Sequence, residues 1–221
     1  MTKYFKYLIY LYVFVGYSLS NAGSYNDFFA ALMFDRPADI QKLLDRGFDP
    51  NTVNEKGVSG LLVAIQSEAP KAALVLAHDP RTNVNAQNQH GETPLMLAAI
   101  NNYLPLAETL IARGADVNRK GWTPLHYAAT RGHREMMRLL LENNAYIDSE
   151  ADNKTTPLMM AAHAAPALAV KLLLEEGADP NLVNDANASA LDIAITDGHE
   201  QSAYYIRAFI ESWAFQNQPP Q

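Results

Sequence analysis

One tripeptide recurs along this chain at a nearly constant interval. Thr93-Pro94-Leu95, Thr123-Pro124-Leu125 and Thr156-Pro157-Leu158 are separated by 30 and 33 residues, Ser189-Ala190-Leu191 follows after another 33, and Ser59-Gly60-Leu61 precedes the first by 34. A second landmark keeps the same beat: Gly47-Phe48-Asp49-Pro50-Asn51, Gly114-Ala115-Asp116-Val117-Asn118, Asn144-Ala145-Tyr146-Ile147-Asp148 and Gly177-Ala178-Asp179-Pro180-Asn181. Self-similarity at a period of about 20–50 residues restricts a chain to stacked repeats, because each short unit buries its apolar face only against its neighbours.

Each unit follows one physical plan. Ser or Thr stands where a helix N-cap is wanted, its oxygen placed to accept an amide left over in the first helical turn. Proline follows in three units at the first helical position, where its missing N–H costs nothing. Leu and an Ala-Ala pair come next, as in Leu125, Ala128 and Ala129. The leucine turns inward and the alanines let a neighbouring helix approach. Gly132, Gly198 or Asn102 closes this first helix as a left-handed cap. A second helix carries apolar residues at helical spacing, such as Met136, Met137, Leu139, Leu140 and Leu141, and Gly47, Gly114 or Gly177 stops it.

Thr123 to Ala128 reads Thr-Pro-Leu-His-x-Ala, and with the period and the Gly-Ala-Asp-Val-Asn ending it resembles the ankyrin repeat. The resemblance implies an all-α solenoid of about six ankyrin repeats, each a helix-turn-helix plus a β-hairpin finger. They would be stacked in an L-shaped array between capping end repeats, with a concave face for binding. The units fall at 24–56, 57–90, 91–120, 121–153, 154–186 and 187–215, within a repeat domain spanning 23–215 and followed by a disordered tail at 216–221. Asn26-Asp27 replaces Thr-Pro-Leu in the first unit. In the last, Ile206, Phe209, Ile210 and Trp213 share one helical face that would cover the final core edge.

Ahead of the repeats, Lys3 and Lys6 precede a mostly apolar run from Leu8 to Leu19, and Ser20-Asn21-Ala22 has the small-x-small form of a signal-peptidase site. The run is shorter than the ~18–20 apolar residues that span a bilayer. Residues 1–22 therefore read as a signal peptide cut after Ala22, which places the protein in the periplasm or outside the cell. An uncleaved anchor would make it a membrane-tethered scaffold instead, and a buried N-terminal helix would make it a cytosolic protein. The chain has no cysteine, which removes thiol catalysis and cysteine-ligated zinc. Beyond Ala22, 24 acids stand against 15 bases, a balance opposed to binding the phosphate backbone of nucleic acid.

The histidines are the first candidates for chemistry. The family pattern implies that His126 bonds to the threonine hydroxyl and to nearby loop backbone, tying one repeat to the next, and that His133 and His199 begin second helices. His163 takes the position of Thr130, which would face the concave groove. With no H-E-x-x-H or comparable ligand pair, neither a metal nor a cofactor is expected, and the protein is not expected to be an enzyme. The competing class, an enzyme or ligand-binding site grafted on the repeats, would require a pocket of converging polar groups that no motif supplies.

Departures from the pattern point to a surface. Only Arg119 and Lys120 separate Asn118 from Gly121, where the other fingers have five intervening residues. Trp122 stands beside this clipped finger, either as an exposed anchor for a partner or folded over the neighbouring finger to fill the notch. Family geometry transferred to matching positions adds Gln89, His90, Glu92, Asp152, Asn153 and Thr155 on the rim, and Thr130, Arg131 and His163 on the floor. Ile100, Asn101, Ala164, Thr196 and Asp197 belong to the same floor. Lys154 occupies a turn position held elsewhere by glycine, so strain is expected there. The function implied is rigid-surface recognition of another protein by a monomer, without membrane contact once the signal is removed. Similar exported bacterial proteins are associated with oxidative-stress defence or with immunity to a toxin.

Overall fold

The computed structural model describes residues 23–164 and 166–216, with side chains up to residue 212. The proposed signal peptide and the tail beyond 216 lie outside the described residues. Trp213, expected on the capping face, has no described side chain. Gln216, assigned to the tail from sequence, is the last residue of a helix.

Among the described residues there are twelve helices in six consecutive pairs, and two compact units that divide between Gly91 and Glu92. The first unit contains α1 (23–33), α2 (Pro37–Asp45), α3 (Gly60–Gln66) and α4 (Pro70–His78). α1 runs straight through Asn26-Asp27, so this pair is not an N-cap. Phe28, Leu32, Ile40, Leu62, Ile65 and Leu76 form the buried centre of the unit. Its neighbouring pairs are also tied by a carboxylate: Asp35 accepts the Ala72 N–H of the first α4 turn at 2.8 Å.

Gly60 stands where three other units have proline, and the structure supplies the reason. The buried Phe28 ring, packed 4.7 Å from Phe48, lies directly over the start of α3. A Cβ on Gly60 would come within 2.6 Å of that ring and 3.2 Å of Leu32 Cδ1. The aromatic residues of the first pair occupy the space that a side chain at this position would need.

The second unit contains α5 (Pro94–Ile100), α6 (Leu104–Ala112), α7 (Pro124–Arg131), α8 (Arg134–Glu142), α9 (Pro157–Ala164), α10 (Ala167–Glu175), α11 (Ala190–Thr196) and α12 (Glu200–Gln216). α7 packs between α5 and α9, and α11 packs on α9. The core they share is made from the repeated leucines and alanines, with Leu95, Leu125, Leu158, Ala128, Ala129 and Ala162 all fully buried. α12 covers α10 and α11, with Ile206 buried at the contact and Phe209 and Ile210 half-buried.

The N-cap expectation holds at Thr93, Thr156 and Ser189, whose hydroxyl oxygens accept the N–H groups of Met96, Met159 and Asp192 at 3.2–3.3 Å. It fails at Ser59, whose buried hydroxyl has no partner among the described residues. Thr123 is also different, because its hydroxyl is engaged by His126 at 2.8 Å. The left-handed positions are where the repeat places them: Gly132, Gly198 and Asn102 at the ends of first helices, Gly47, Gly114 and Gly177 after second helices. Lys154 has φ +58, confirming the expected strain.

The fingers are turns rather than ladders. Among the described residues the β-structure reduces to two isolated antiparallel bridges, Val53–Ser59 and Val183–Ser189. Asparagine side chains supply the order instead. Asn54 Oδ1 accepts from the N–H groups of Lys56 and Val58, and Asn184 Oδ1 from those of Ala186 and Ala188. The second sequence landmark also acquires a cause, since in three of its four copies the last residue clamps the next loop. Asn51 donates to Arg81 O and accepts from Asn83 N, and Asn118 donates to Asn144 O and accepts from Tyr146 N, all at 2.7–2.8 Å. Asp148 only accepts, from Asp179 N at 3.1 Å. Burial holds its carboxyl above the usual range, against the lowering by that N–H.

Candidate functional site

The histidines resolve into structural ties. His126 is fully buried. Its Nδ1 accepts the backbone N–H of Thr123 at 3.2 Å, which can only donate, so the ring proton sits on Nε2 and is donated to Thr155 O at 2.9 Å. This bond joins the fourth helix pair to the loop entering the fifth. Burial lowers His126 to about 4, with the bond to Thr155 acting in the opposite direction. His133 and His199 stand at the starts of α8 and α12. Each reaches back one pair, His133 Nε2–H to Ile100 O at 3.0 Å and His199 Nδ1–H to Ala162 O at 2.8 Å. Among the described residues no group of three or more His, Asp or Glu is placed to hold a metal ion.

Trp122 is 39% exposed. Its ring lies edge-on to His126 at 5.2 Å and to Tyr127 at 6.4 Å between centroids. The indole therefore rests on its own helix, α7, and keeps one side open. Tyr127 donates its hydroxyl to Glu92 Oε1 at 3.0 Å, and burial together with the Glu92 charge pushes it up to about 12. Trp122, Tyr127 and Glu92 thus form one connected cluster at the clipped finger. Gly121 is buried there, with the Asp152 carboxylate 3.4 Å from where its Cβ would be.

The remaining predicted residues divide between the units. Gln89 and His90 are exposed on a finger of the first unit, where Gln89 donates to Lys56 O at 3.3 Å and the His90 N–H is taken by Asn88 at 2.9 Å. In the second unit Lys120, Arg131, Asp152 and Asn153 are exposed, and Arg119 is half-buried. Thr130 is half-buried, and its hydroxyl donates back to His126 O at 2.8 Å. Thr155 is buried rather than raised on the rim, held by the His126 bond through its carbonyl.

His163 lies at a second location, with its side chain 61% exposed. Its Nδ1–H donates to Asp197 Oδ2 at 2.6 Å, joining the C-terminal ends of α9 and α11. A groove of about 320 Å³ opens beside this pair, floored by Met159, Met160 and Ile193 and edged by Thr155, Asp192 and Thr196. Sequence reasoning placed His163, Thr196 and Asp197 on the floor but missed Met160, Asp192 and Ile193. Helical spacing assigns those three to the same helices without saying which of them border a groove.

The comparisons with known proteins follow the same repeats. Models of ankyrin repeats (three copies) match residues 28–120, 74–151 and 114–184. The chain is 31% identical over 150 residues, 66% of its length, to "Ankyrin repeat and KH domain-containing protein mask-1" of Caenorhabditis elegans. It is also 31% identical over 193 residues, 80% of its length, to alpha-latrocrustotoxin-Lt1a of Latrodectus tredecimguttatus. It spans 6% of the first relative's length and 13% of the second's. A solved ankyrin repeat domain from Acinetobacter baumannii matches with a TM-score of 0.71 at 27% identity, over 82% of this chain and 96% of that one. The shared period, the helix pairs and the histidine ties have one explanation: the chain belongs to the ankyrin repeat family.

Proposed function

We propose that this protein is exported and acts by binding another protein through the exposed groove side and fingers of its repeats. Ankyrin repeats are protein–protein interaction modules, typically non-catalytic. The observation that carries the reading for this chain is the Trp122 cluster. A tryptophan half-supported by His126 and Tyr127, and open on its other side, is a preorganised anchor that loses little rotamer freedom on binding. It stands where the finger is shortest, so a partner reaches it with less obstruction. Export is supported by the basic start, the apolar run and the Ser20-Asn21-Ala22 site.

Capture of partners from periplasmic extract, comparing wild type with Trp122→Ala, tests the anchor. Loss of a partner with an unchanged circular dichroism spectrum supports it, and an identical partner set removes the cluster from the interface. The captured protein also separates the two settings named for similar exported proteins: a catalase-linked partner indicates oxidative-stress defence, and a lipolytic toxin indicates immunity. N-terminal sequencing of the exported protein tests the leader. A start at Gly23 supports cleavage, and a start at Met1 replaces it with a tethered scaffold.

A further inference from the structure

We infer that the groove between α9 and α11 receives a lysine or arginine side chain of the partner protein, an inference that rests on the protein-binding reading above. The groove has two zones of different chemistry. Met159, Met160 and Ile193 provide an apolar floor, and Asp192 and Asp197 provide carboxylates at its edge. Among the described residues no lysine or arginine lines it. Its volume of about 320 Å³ is at the lower end of the roughly 300–1,000 Å³ of small-ligand pockets. That size suits one long side chain.

A long basic side chain matches both zones, because its methylene stem packs on apolar surface while its head stays at the polar edge. Methionine suits the stem, being unbranched and able to adapt its shape. Both carboxylates are held in position by the chain itself. Asp192 Oδ2 accepts from Ser189 N–H at 2.9 Å and from the Ser189 hydroxyl at 2.6 Å. Asp197 is oriented by His163 at 2.6 Å. Carboxylates oriented before binding require less ordering when a cation arrives. An acidic or aromatic side chain matches only one zone and would place a negative charge or a bare ring against the carboxylates.

The test uses the full chain, labelled with ¹⁵N and titrated with two peptides, acetyl-(Gly-Arg)₃-amide and acetyl-(Gly-Glu)₃-amide. The arginine peptide should shift the amide resonances of Met160, His163, Ile193 and Thr196 saturably. Raising NaCl to about 0.5 M, where the Debye length is roughly 4 Å, should largely abolish the effect. Asp192→Asn and Asp197→Asn should each weaken the apparent affinity about two- to fivefold. Thr196→Lys, at an exposed position, supplies its own cation and should abolish the response without disturbing the core. Equal shifts with the glutamate peptide, or arginine-induced shifts spread over the whole acidic surface and unaltered in the variants, overturn the inference. Capture with the Asp192→Asn/Asp197→Asn double variant separates the two proposals. If it retains the partner that wild type captures, the groove is refuted and the protein-binding reading stands. If wild type itself captures nothing, the broader reading falls.

Discussion

Buried His126 makes the stability of the second unit depend on pH between about 4 and 6.5. Its neutral ring accepts from Thr123 N–H and donates to Thr155 O, and burial holds it down to about 4 against an ordinary 6.5. Between those two values the unfolded chain binds the proton and the folded chain does not. Stability therefore rises with pH across the window and is lost as pH falls from 6.5 towards 4. Acidification from neutral pH to 4 costs about 3 kcal/mol through this one group, and roughly 2 kcal/mol of that is gone by pH 5. Protonation of Nδ1 would also direct a second N–H at the Thr123 N–H, so the charged ring has no place in this network.

Urea unfolding followed by circular dichroism at pH 7.5, 6.0 and 5.0 measures the loss. With a slope of about 2 kcal/mol per molar urea, the wild-type midpoint should fall by roughly 1 M between the first and last conditions. His126→Gln keeps a neutral polar group at every pH. It should be less stable at pH 7.5, because one glutamine does not reach both Thr123 N and Thr155 O, but its further decline on acidification should be smaller by about 2 kcal/mol. The other histidines and carboxylates are common to both proteins, so the difference between the two curves isolates position 126. Parallel pH profiles for wild type and variant would refute the assignment of a neutral, buried imidazole. A direct check is the His126 ring ¹⁵N pattern, which should remain that of the Nε2–H form from pH 7.5 to 5.

Two further substitutions probe the irregular units. Gly60→Ala places a methyl 2.6 Å from the Phe28 ring and should destabilise the first unit by about 1–3 kcal/mol. Phe28→Leu in the same chain should recover part of this, and an unchanged urea midpoint for Gly60→Ala would show that the ring simply moves aside. Lys154→Gly relieves a left-handed backbone at φ +58. After glycine's entropy cost the gain should be about 0.5–1 kcal/mol, or a rise of roughly 1–4 °C in Tm by scanning calorimetry. A fall in Tm would mean that the lysine side chain holds the turn.

The fold was legible in the sequence because the repeat states each structural requirement several times. The left-handed glycines, the proline at the first helical position and the inward leucine answer to backbone geometry and burial, and both act within a few residues of where they are read. The clamps between loops were visible only as a recurring Asn or Asp at the end of a motif. Their partners lie in the following loop, 26–32 residues away in sequence. Gly60 shows the limit more sharply. Alone it reads as a degraded proline position, and its cause is a phenylalanine 32 residues earlier whose ring fills the same space.

The surface was less legible for the same reason, since it depends on relations between units that no single unit encodes. Trp122 was conspicuous as an aromatic beside a short finger, but two readings of it stayed open. The structure shows one side of the indole packed on His126 and Tyr127 of its own repeat, with the residue 39% exposed. Thr155 was placed on the rim by analogy, yet its carbonyl is consumed by His126 and the residue is buried. The groove by His163 has the opposite history. Its imidazole departed from the threonine of the preceding unit, and its meaning lay in Asp197, one repeat later and one residue further on. In a repeat protein the residues that match the pattern build the stack. Two that depart from it, His163 and Asp197, meet across adjacent units through a hydrogen bond that neither unit encodes alone.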